Sequence, residues 1–434
     1  MKIHNRQREY ALDLDGSRAD VTVLEPLNVP TRGWAQVARE ALDEPLGGPP
    51  LESRNLRGKK VCIITDDWGR PTPASEFLPE IIGRLKKAGV EDRDLCLVAA
   101  SGMHEPMSAD DLRRKMGDEV VGRFRCYVHD GGDRSNLEFV GITETGTPVW
   151  VNKHVAQADF VLVAGRVYPH ETYGYEGGYK MICPGVSSFE TILRDHGLNF
   201  APTSTYGNLR NNCSRIEADV IGKLVGVDFA LDFVVTAKAQ PVRAFAGECD
   251  AVFASCVRHG ERHVWYRKVE ARSDITIMSC GQIADTGLEN NPIFYSVIAG
   301  NVTKDDGTVI LLLDERLPEK RNLIDGVDID ELSLSDLLLM HERRDWGCDP
   351  RRVQTYIKRI RGSFYLRRAM VDHRPALFLV SDRFSATLLD RYRAEHYCDL
   401  GAAYARAAAR YRRPNVLVVP DAVGTLPLLQ YSLE

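Results

Sequence analysis

The sequence lacks the features that define several large classes of protein. No apolar run reaches the roughly 18 residues that a membrane-spanning helix needs, so no membrane span is expected. The N-terminus has no apolar stretch typical of a signal peptide. The formal net charge is −5, whereas nucleic-acid-binding proteins usually present a basic surface. We therefore expect a cytoplasmic protein that binds a small molecule rather than nucleic acid or a membrane.

Two common motif types are also missing. The 10 cysteines include no CxxC pair, so neither a zinc ribbon nor a thioredoxin-like redox motif is expected. Scattered thiols of this kind fit a reducing compartment. No GxxxxGK[ST] phosphate-binding loop occurs either.

The chain has the length and pattern of two α/β domains. With 434 residues it exceeds one typical domain, and apolar strands alternate with helical stretches along most of it. We place the domains at 1–270 and 271–434, with the last residues packing back on the first domain. The segment Phe200–Val235 is predicted to be mainly helical.

Three strand–loop–helix units carry the reactive side chains of the first domain. The strands are predicted at Val61–Thr65, Leu95–Ala100 and Phe160–Ala164. Ligands of open α/β sheets bind where parallel strands end. If these strands are neighbours, one crevice receives the polar residues that follow them: Asp67, Arg70, His104, His170 and Lys180.

The third unit, Gly165–His196, has the highest density of such groups. Ser187 and Glu190 match a capping box, which predicts a helix that carries His196 in its last turns. Lys180 follows a glycine-rich loop, and three interpretations of it stay open. It could contact a phosphate, lie on the surface, or attach covalently to a carbonyl group of a cofactor.

The histidines also allow a metal site. Three imidazoles and one open position are a common arrangement for catalytic zinc. His104, His170 and His196 share strand-end or helix-end positions, whereas a single histidine is more often a hydrogen-bonded structural residue. A zinc hydrolase is therefore one hypothesis.

Five linked motifs resemble the nickel-pincer lactate racemase family. They are DDWGRPTP, SGMHEP, YPHETYGYEGGYK, PGVSSFETILRDH and YGNLR, spread over about residues 60–235, with weaker likeness at CGQIAD and PDAVGTL. The resemblance implies two α/β domains with the active site in the cleft between them. It also implies nickel held in a pyridinium-3,5-bisthiocarboxylate mononucleotide, and hence proteins that make this cofactor.

The resemblance also implies roles for particular residues. Lys180 matches the lysine that tethers the cofactor, and His196 matches the nickel ligand. His104 and His170 match the acid/base histidines of a reaction that moves a hydride from C2 of a 2-hydroxy acid and returns it to the other face. The nucleotide part is expected at four consecutive residues: Asp67, Trp68, Gly69 and Arg70.

The chain departs from that family on the substrate side. Counting from Asp285, Asn290 and Ile293 stand where the family's lactate enzymes have Gln and Lys for the substrate. The resemblance therefore implies a racemase or epimerase of a 2-hydroxy acid other than lactate, such as an aromatic or sugar acid. A protein that binds the cofactor without turnover is the remaining alternative.

Overall fold

A computed structural model gives the fold. It describes residues 1–5, 8–12, 18–104, 106–170, 172–201, 203–280, 290–313, 323–324, 327–328, 375–381, 389, 394–422 and 425–429.

The strands, numbered in chain order, are β1 Lys2–Asn5, β2 Arg8–Ala11, β3 Asp20–Val23, β4 Val61–Asp66, β5 Leu95–Ala100, β6 Arg125–Val128, β7 Leu137–Ile142, β8 Pro148–Asn152, β9 Phe160–Val167, β10 Pro169–His170, β11 Gly174–Tyr175, β12 Phe229–Val235, β13 Pro241–Gly247, β14 Tyr266–Val269, β15 Ser273–Ser279, β16 Thr303–Leu312, β17 Leu323–Ile324, β18 Val327–Asp328, β19 Ala376–Val380, β20 Ala394–Tyr397, β21 Asn415–Val419 and β22 Leu426–Leu429.

The helices are α1 Trp34–Asp43, α2 Ala74–Lys87, α3 Ala109–Met116, α4 Asp118–Arg123, α5 Lys153–Ala156, α6 Phe189–Gly197, α7 Cys213–Val225, α8 Cys249–His263, α9 Asn290–Val302 and α10 Leu400–Ala408. Among the described residues, no helix is long and apolar enough to cross a bilayer.

The unit Val29–Val264 is built on a six-stranded sheet in the order β13-β12-β9-β4-β5-β6. All its neighbouring strands are parallel except β13, which is antiparallel to β12. The chain adds β5 and β6 on one side of β4 and then β9 and β12 on the other. The order therefore reverses between β4 and β9, and this is the position at which doubly wound sheets bind ligands.

One face of this sheet carries a hydrophobic core of the unit. Alternate residues of β4, such as Val61 and Ile63, pack there against α1 and α2. The rings of Trp34, Phe77 and Phe233 meet in the same cluster, with centroids 4.7–6.3 Å apart. This buried sheet supports the loops that follow the carboxyl ends of its strands.

The second unit consists of Met1–Asn28 and Trp265–Glu434. Its sheet has the order β20-β19-β16-β15-β21-β3, and all its neighbouring strands are parallel. The mixed α/β fold class expected from the sequence is confirmed.

This division differs from the sequence prediction of 1–270 and 271–434 in two places. The change of unit falls at Val264, and the N-terminal segment Met1–Asn28 belongs with the C-terminal part. The physical reason is that β3 pairs with β21, with Asp20 opposite Asn415, and so forms the edge of the second sheet. The last described strand, β22, pairs with β14 in the same unit.

Two local predictions need correction. Ser188, not Ser187, caps α6, because its hydroxyl accepts the N–H of Thr191 at 3.1 Å. Phe229–Val235 is a buried strand rather than part of a helical segment, because it pairs with β9 in the centre of the sheet. Ser108 and Asp111 form a capping box at the start of α3.

Candidate active site

The polar residues of three junctions meet at one edge of the first sheet. The strands β5, β4 and β9 are parallel neighbours, so their carboxyl ends lie side by side. Asp67 follows β4, His104 follows β5 and His170 follows β9. The site therefore lies between β4 and β9, where the strand order of the sheet reverses. We call this position the switch point.

Asp67 and His104 form a hydrogen-bonded pair. The carboxylate Oδ2 lies 2.7 Å from the imidazole Nδ1, and Asp67 is buried while His104 is one-third exposed. Burial raises the pKa of Asp67, but the hydrogen bond to His104 and the positive charges nearby together outweigh burial and leave the pKa below its usual value. A Cβ at Gly69 would lie 3.2 Å from Oδ1 of Asp67, so the backbone of the DDWGR loop passes close to the pair.

His170 is held by backbone N–H groups of its own loop. Its Nδ1 accepts the N–H of Thr172 at 3.1 Å and that of Tyr173 at 3.4 Å. The hydroxyl of Thr172 lies 3.3 Å from the same nitrogen.

Tyr173 is a buried ring that contacts three of the candidate residues. Its hydroxyl donates to Oδ2 of Asp195 and lies 3.1 Å from Nδ1 of His196. Oδ2 of Asp195 is also 3.0 Å from that nitrogen. The ring of His170 meets Tyr173 edge-on, with centroids 5.4 Å apart. Sequence reasoning had no signal for Tyr173 or Asp195 beyond their places in the YPHETYGYEGGYK and ILRDH motifs.

Lys180 lies on the same tyrosine. Its Nζ is 4.9 Å from the centroid of the Tyr173 ring, which is within the range of a cation–π contact. Two hydrogen bonds hold the glycine turn that precedes Lys180. The N–H of Gly178 donates to Oδ2 of Asp232 at 3.0 Å, and Arg215 donates to the carbonyl of Gly177 at 3.2 Å.

Arg70 has a carboxylate partner in this structure. Its Nε lies 2.8 Å from Glu176 Oε1, and the Nε of Arg166 lies 3.0 Å from Oε2. Burial raises the pKa of Glu176, but Arg166 and Arg70 outweigh it and lower the pKa to about 2. Trp68, also expected near the nucleotide, is about half exposed at 47%.

Sequence reasoning missed two buried carboxylates beneath the site. Asp66 is paired with Lys115, with 2.6 Å between Oδ1 and Nζ, and its pKa is raised because burial outweighs that contact. Asp232 is fully buried, and burial raises its pKa to about 6. The signal for Asp232 was a charged residue inside the apolar run FALDFVV.

The residues present fit a cofactor with one covalent tether and one protein ligand to its metal. Lys180 supplies an amine and His196 an imidazole, and both contact the ring of Tyr173. Nδ1 of His196 is held by a carboxylate and a phenol, which is the usual support for an imidazole that binds metal through its other nitrogen.

A site of three protein ligands does not fit. Among the residues that the structure describes, no three His, Cys, Asp or Glu side chains lie close enough together to hold a metal ion. His104, His170 and His196 are all described, so they do not form the zinc site that the hydrolase hypothesis needs.

The substrate-side residues are only partly covered by the structure. Asn290 begins α9 and Ile293 lies in its first turn, but the side chains of both lie outside the described residues, as does Asp285 entirely. Their role stays a prediction.

The fold and site define an α/β protein of the doubly wound type, with a histidine–carboxylate pair, a loop lysine and a helix-end histidine at the switch point. Residues 7–207 match the family described as "Lactate racemase N-terminal domain". A lactate racemase of Thermoanaerobacterium thermosaccharolyticum is 29% identical over 286 residues, 64% of this chain and 65% of that protein. A lactate racemase of Lactiplantibacillus plantarum is 25% identical over 404 residues, 90% of each chain.

Solved structures agree on the fold. The lactate racemase apoprotein of T. thermosaccharolyticum superposes with a TM-score of 0.78 at 22% identity, covering 99% of both chains. A protein from Thermotoga maritima has a TM-score of 0.61 at 14% identity and covers 94% of this chain and all of that one. The chain is therefore similar in sequence to lactate racemases and shares the fold of the lactate racemase apoprotein.

Proposed function

We propose that this protein is a cytoplasmic racemase or epimerase that inverts C2 of a 2-hydroxy acid with the help of a nickel-pincer nucleotide. The observation that carries the proposal is the Asp67–His104 pair at the switch point, because it supplies a general base for a hydroxyl proton. The sequence likeness to lactate racemases supports the reaction class.

The chain's own residues divide the remaining tasks. Lys180 holds the cofactor covalently and His196 binds its nickel. When bound, the cofactor supplies the hydride acceptor that a 2-hydroxy acid needs, since its C2–H is not acidic enough for an ordinary base. His104 and His170 contact the substrate oxygen, and the Asp67 carboxylate stabilises the protonated form of His104.

The charge of the site supports an anionic ligand. Arg166, Arg70, Lys180 and His170 all act electrostatically on Glu176, so one carboxylate is surrounded by several cationic or basic groups. A substrate carboxylate or a nucleotide phosphate would be attracted to such surroundings. We propose a substrate other than lactate, because Ile293 stands where the resemblance expects a lysine for the carboxylate.

The first experiment is an intact mass of the protein after co-production with the cofactor-biosynthesis proteins. We expect an adduct that maps to Lys180, together with nickel. An unmodified Lys180 in a protein that carries zinc would refute the cofactor assignment. A matched control is Lys223→Arg, since Lys223 contacts Tyr179 and Asp250 instead and its replacement should leave the adduct unchanged.

The second experiment tests turnover. The loaded protein is incubated with single enantiomers of 2-hydroxy acids of different size and charge, and the products are separated by chiral chromatography. Inversion of at least one acid supports the proposal. A loaded protein that inverts none of them would instead be a cofactor-binding protein without turnover, the alternative that Ile293 favours.

A further inference from the structure

Cys62 and Cys96 form a pair of thiols that the proposed reaction does not use. Each is the second residue of its strand, whereas Asp67 and His104 follow the other ends of the same two strands. We propose that this pair is a site of reversible oxidation, in which a hydroperoxide oxidises Cys96 and Cys62 then closes a disulfide bond with it. This modification goes beyond the proposed function and does not depend on it.

The two cysteines are opposite each other on neighbouring strands. β4 and β5 are parallel, and their register places Cys62 directly beside Cys96. Neighbouring strands lie about 4.8 Å apart, which is inside the range of roughly 4.4 to 6.8 Å between the Cα atoms of cysteines that a disulfide joins. The two backbones are therefore close enough for the bond.

Both side chains also lie on the same face of the sheet. The residues on either side of each cysteine belong to the hydrophobic core on the other face: Val61, Ile63, Leu95 and Leu97. Because side chains alternate along a strand, the thiols of Cys62 and Cys96 share the opposite face. Their partner on the far side is Arg125, which stands opposite Cys96 in β6.

The two thiols differ in the way that an attacking and a resolving cysteine need to differ. Cys62 is fully buried, and its hydrogen bond with the Cys96 sulfur, together with burial, holds its pKa well above the usual value. Cys96 is partly exposed, and its hydrogen bond with Cys62 and the charge of Arg125 outweigh burial and lower its pKa. Since the thiolate is the nucleophile, Cys96 is the thiol that a hydroperoxide oxidises first.

The chemistry balances with the hydroperoxide as oxidant. The Cys96 thiolate attacks one peroxide oxygen, the O–O bond breaks, and the leaving oxygen takes a proton to become water or an alcohol. Cys96 is then a sulfenic acid, oxidised by two electrons. The Cys62 sulfur attacks the Cys96 sulfur, its proton leaves with the sulfenic oxygen as water, and the S–S bond forms. A dithiol reductant restores both thiols by exchange.

Cys126 provides an internal control on the next strand. It is also partly buried, but it packs against the hydrophobic core on the other face of the sheet. Burial raises the pKa of Cys126 to about 11. Cys126 is therefore a poor nucleophile, and the sheet separates its thiol from that of Cys62.

The experiment uses the whole apoprotein and hydrogen peroxide. The folded protein is oxidised, its remaining thiols are alkylated, and its peptides are mapped by mass spectrometry with and without a dithiol reductant. We expect a Cys62–Cys96 link that the reductant removes, formed at least about 10-fold faster than any oxidation of Cys126. Cys126→Ala should leave the link unchanged. Absence of the link, or oxidation of Cys126 at the same rate, would overturn the proposal.

Single variants separate the two roles. In Cys62→Ala the reaction should stop at the sulfenic acid of Cys96, which dimedone traps. In Cys96→Ala the thiol of Cys62 should stay reduced, and a dimedone adduct on Cys62 would contradict the assigned order.

A second measurement needs no substitution and so does not depend on whether a variant folds. The wild-type protein is oxidised in denaturant, where the strands are separated and the preference for the Cys62–Cys96 link should disappear. If the same link dominates in the unfolded chain, the strand register is not its cause and the proposal fails.

Discussion

The hydroxyl of Tyr173 lies 3.1 Å from Nδ1 of His196, and the same hydroxyl donates to Asp195. Two groups, the loop hydroxyl of Tyr173 and the helix-end carboxylate of Asp195, thus fix the plane of the His196 imidazole ring. Hydrogen bonds to the ring nitrogen that does not bind the metal commonly decide how firmly a histidine holds its metal.

Tyr173→Phe removes that hydroxyl but keeps the ring under Lys180. We expect the Lys180 adduct to form and nickel to be lost about 10- to 100-fold faster into a chelator, because the orientation of His196 is no longer fixed. Tyr175→Phe is the control, since Tyr175 is equally buried and its hydroxyl donates to Glu261 instead, at 2.6 Å. Metal analysis against time measures both, and identical rates in the two variants would rule out this role for Tyr173.

Asp232→Asn should change how the stability of the protein depends on pH. Burial raises the pKa of Asp232 to about 6, above its value in the unfolded chain, so the folded state binds the proton more tightly. The free energy of unfolding of the wild type should therefore fall as pH rises from about 4 to 6. Asparagine cannot ionise and still accepts the N–H of Gly178.

The variant should accordingly be more stable than the wild type at pH 7.5, by roughly 3 kcal/mol at most, and nearly equal to it at pH 4. Denaturant unfolding at both pH values measures this. Asp228→Asn, at an exposed residue just before the same strand, should show little difference at either pH. If the difference in the free energy of unfolding between Asp232→Asn and the wild type does not grow with pH, the explanation is wrong.

Glu176→Gln leaves two arginines without their shared carboxylate. We expect a loss of about 2 to 4 kcal/mol at neutral pH, since removing one partner of a largely buried ion pair is costly. Because Arg166 and Arg70 lower the pKa of Glu176 to about 2, the wild type should lose this advantage as pH falls from about 4.5 towards 2.

Unfolding curves of the apoprotein at several pH values test that prediction. Asp92→Asn is the comparison, because Asp92 pairs with Arg123 at the surface and should cost less than about 1 kcal/mol. Similar losses in both variants would mean that the Arg70–Glu176–Arg166 cluster adds nothing to stability beyond a surface pair.

Gly177→Ala should disturb the loop that presents Lys180. Gly177 has φ +87°, and an added Cβ would lie 2.6 Å from Cγ2 of Val167 and 2.9 Å from the carbonyl of Arg166. We expect lower stability and a smaller fraction of Lys180 adduct in the intact mass. Gly83→Ala, inside α2 with no atom within 4 Å of the new Cβ, should be neutral or slightly stabilising. An unchanged adduct fraction in Gly177→Ala would show that the loop tolerates the shift.

The features that could be predicted from the sequence are those that a local residue pattern determines. The strands β4 and β5 are predicted because in each case an apolar run ends in a polar loop. The cap of α6 was placed one residue early because Ser187 and Ser188 are adjacent and only tertiary contacts distinguish them. Ser187 donates to the carbonyl of Ile182 instead.

What the sequence did not predict depends on contacts between distant residues. Phe229–Val235 becomes a strand because it pairs with β9, and no periodicity within it reveals that pairing. Tyr173 is one of four tyrosines in its motif, and only the folded loop shows which of them reaches His196. Arg70 was predicted to bind the nucleotide, and its ion pair with Glu176 was not predicted. The two residues are far apart in the sequence, but Oε1 of Glu176 lies 2.8 Å from Nε of Arg70.

The position of β3 has a consequence for synthesis on the ribosome. Asp20–Val23 emerges early but pairs with Asn415–Val419, which is near the opposite end of the chain. The unit Val29–Val264 is contiguous and can fold as soon as it leaves the exit tunnel, whereas the parallel sheet of the other unit can be completed only after β21 has been synthesised. Until then β3, in the segment Met1–Asn28, has no partner strand. A chaperone that binds this segment would be most useful during that interval.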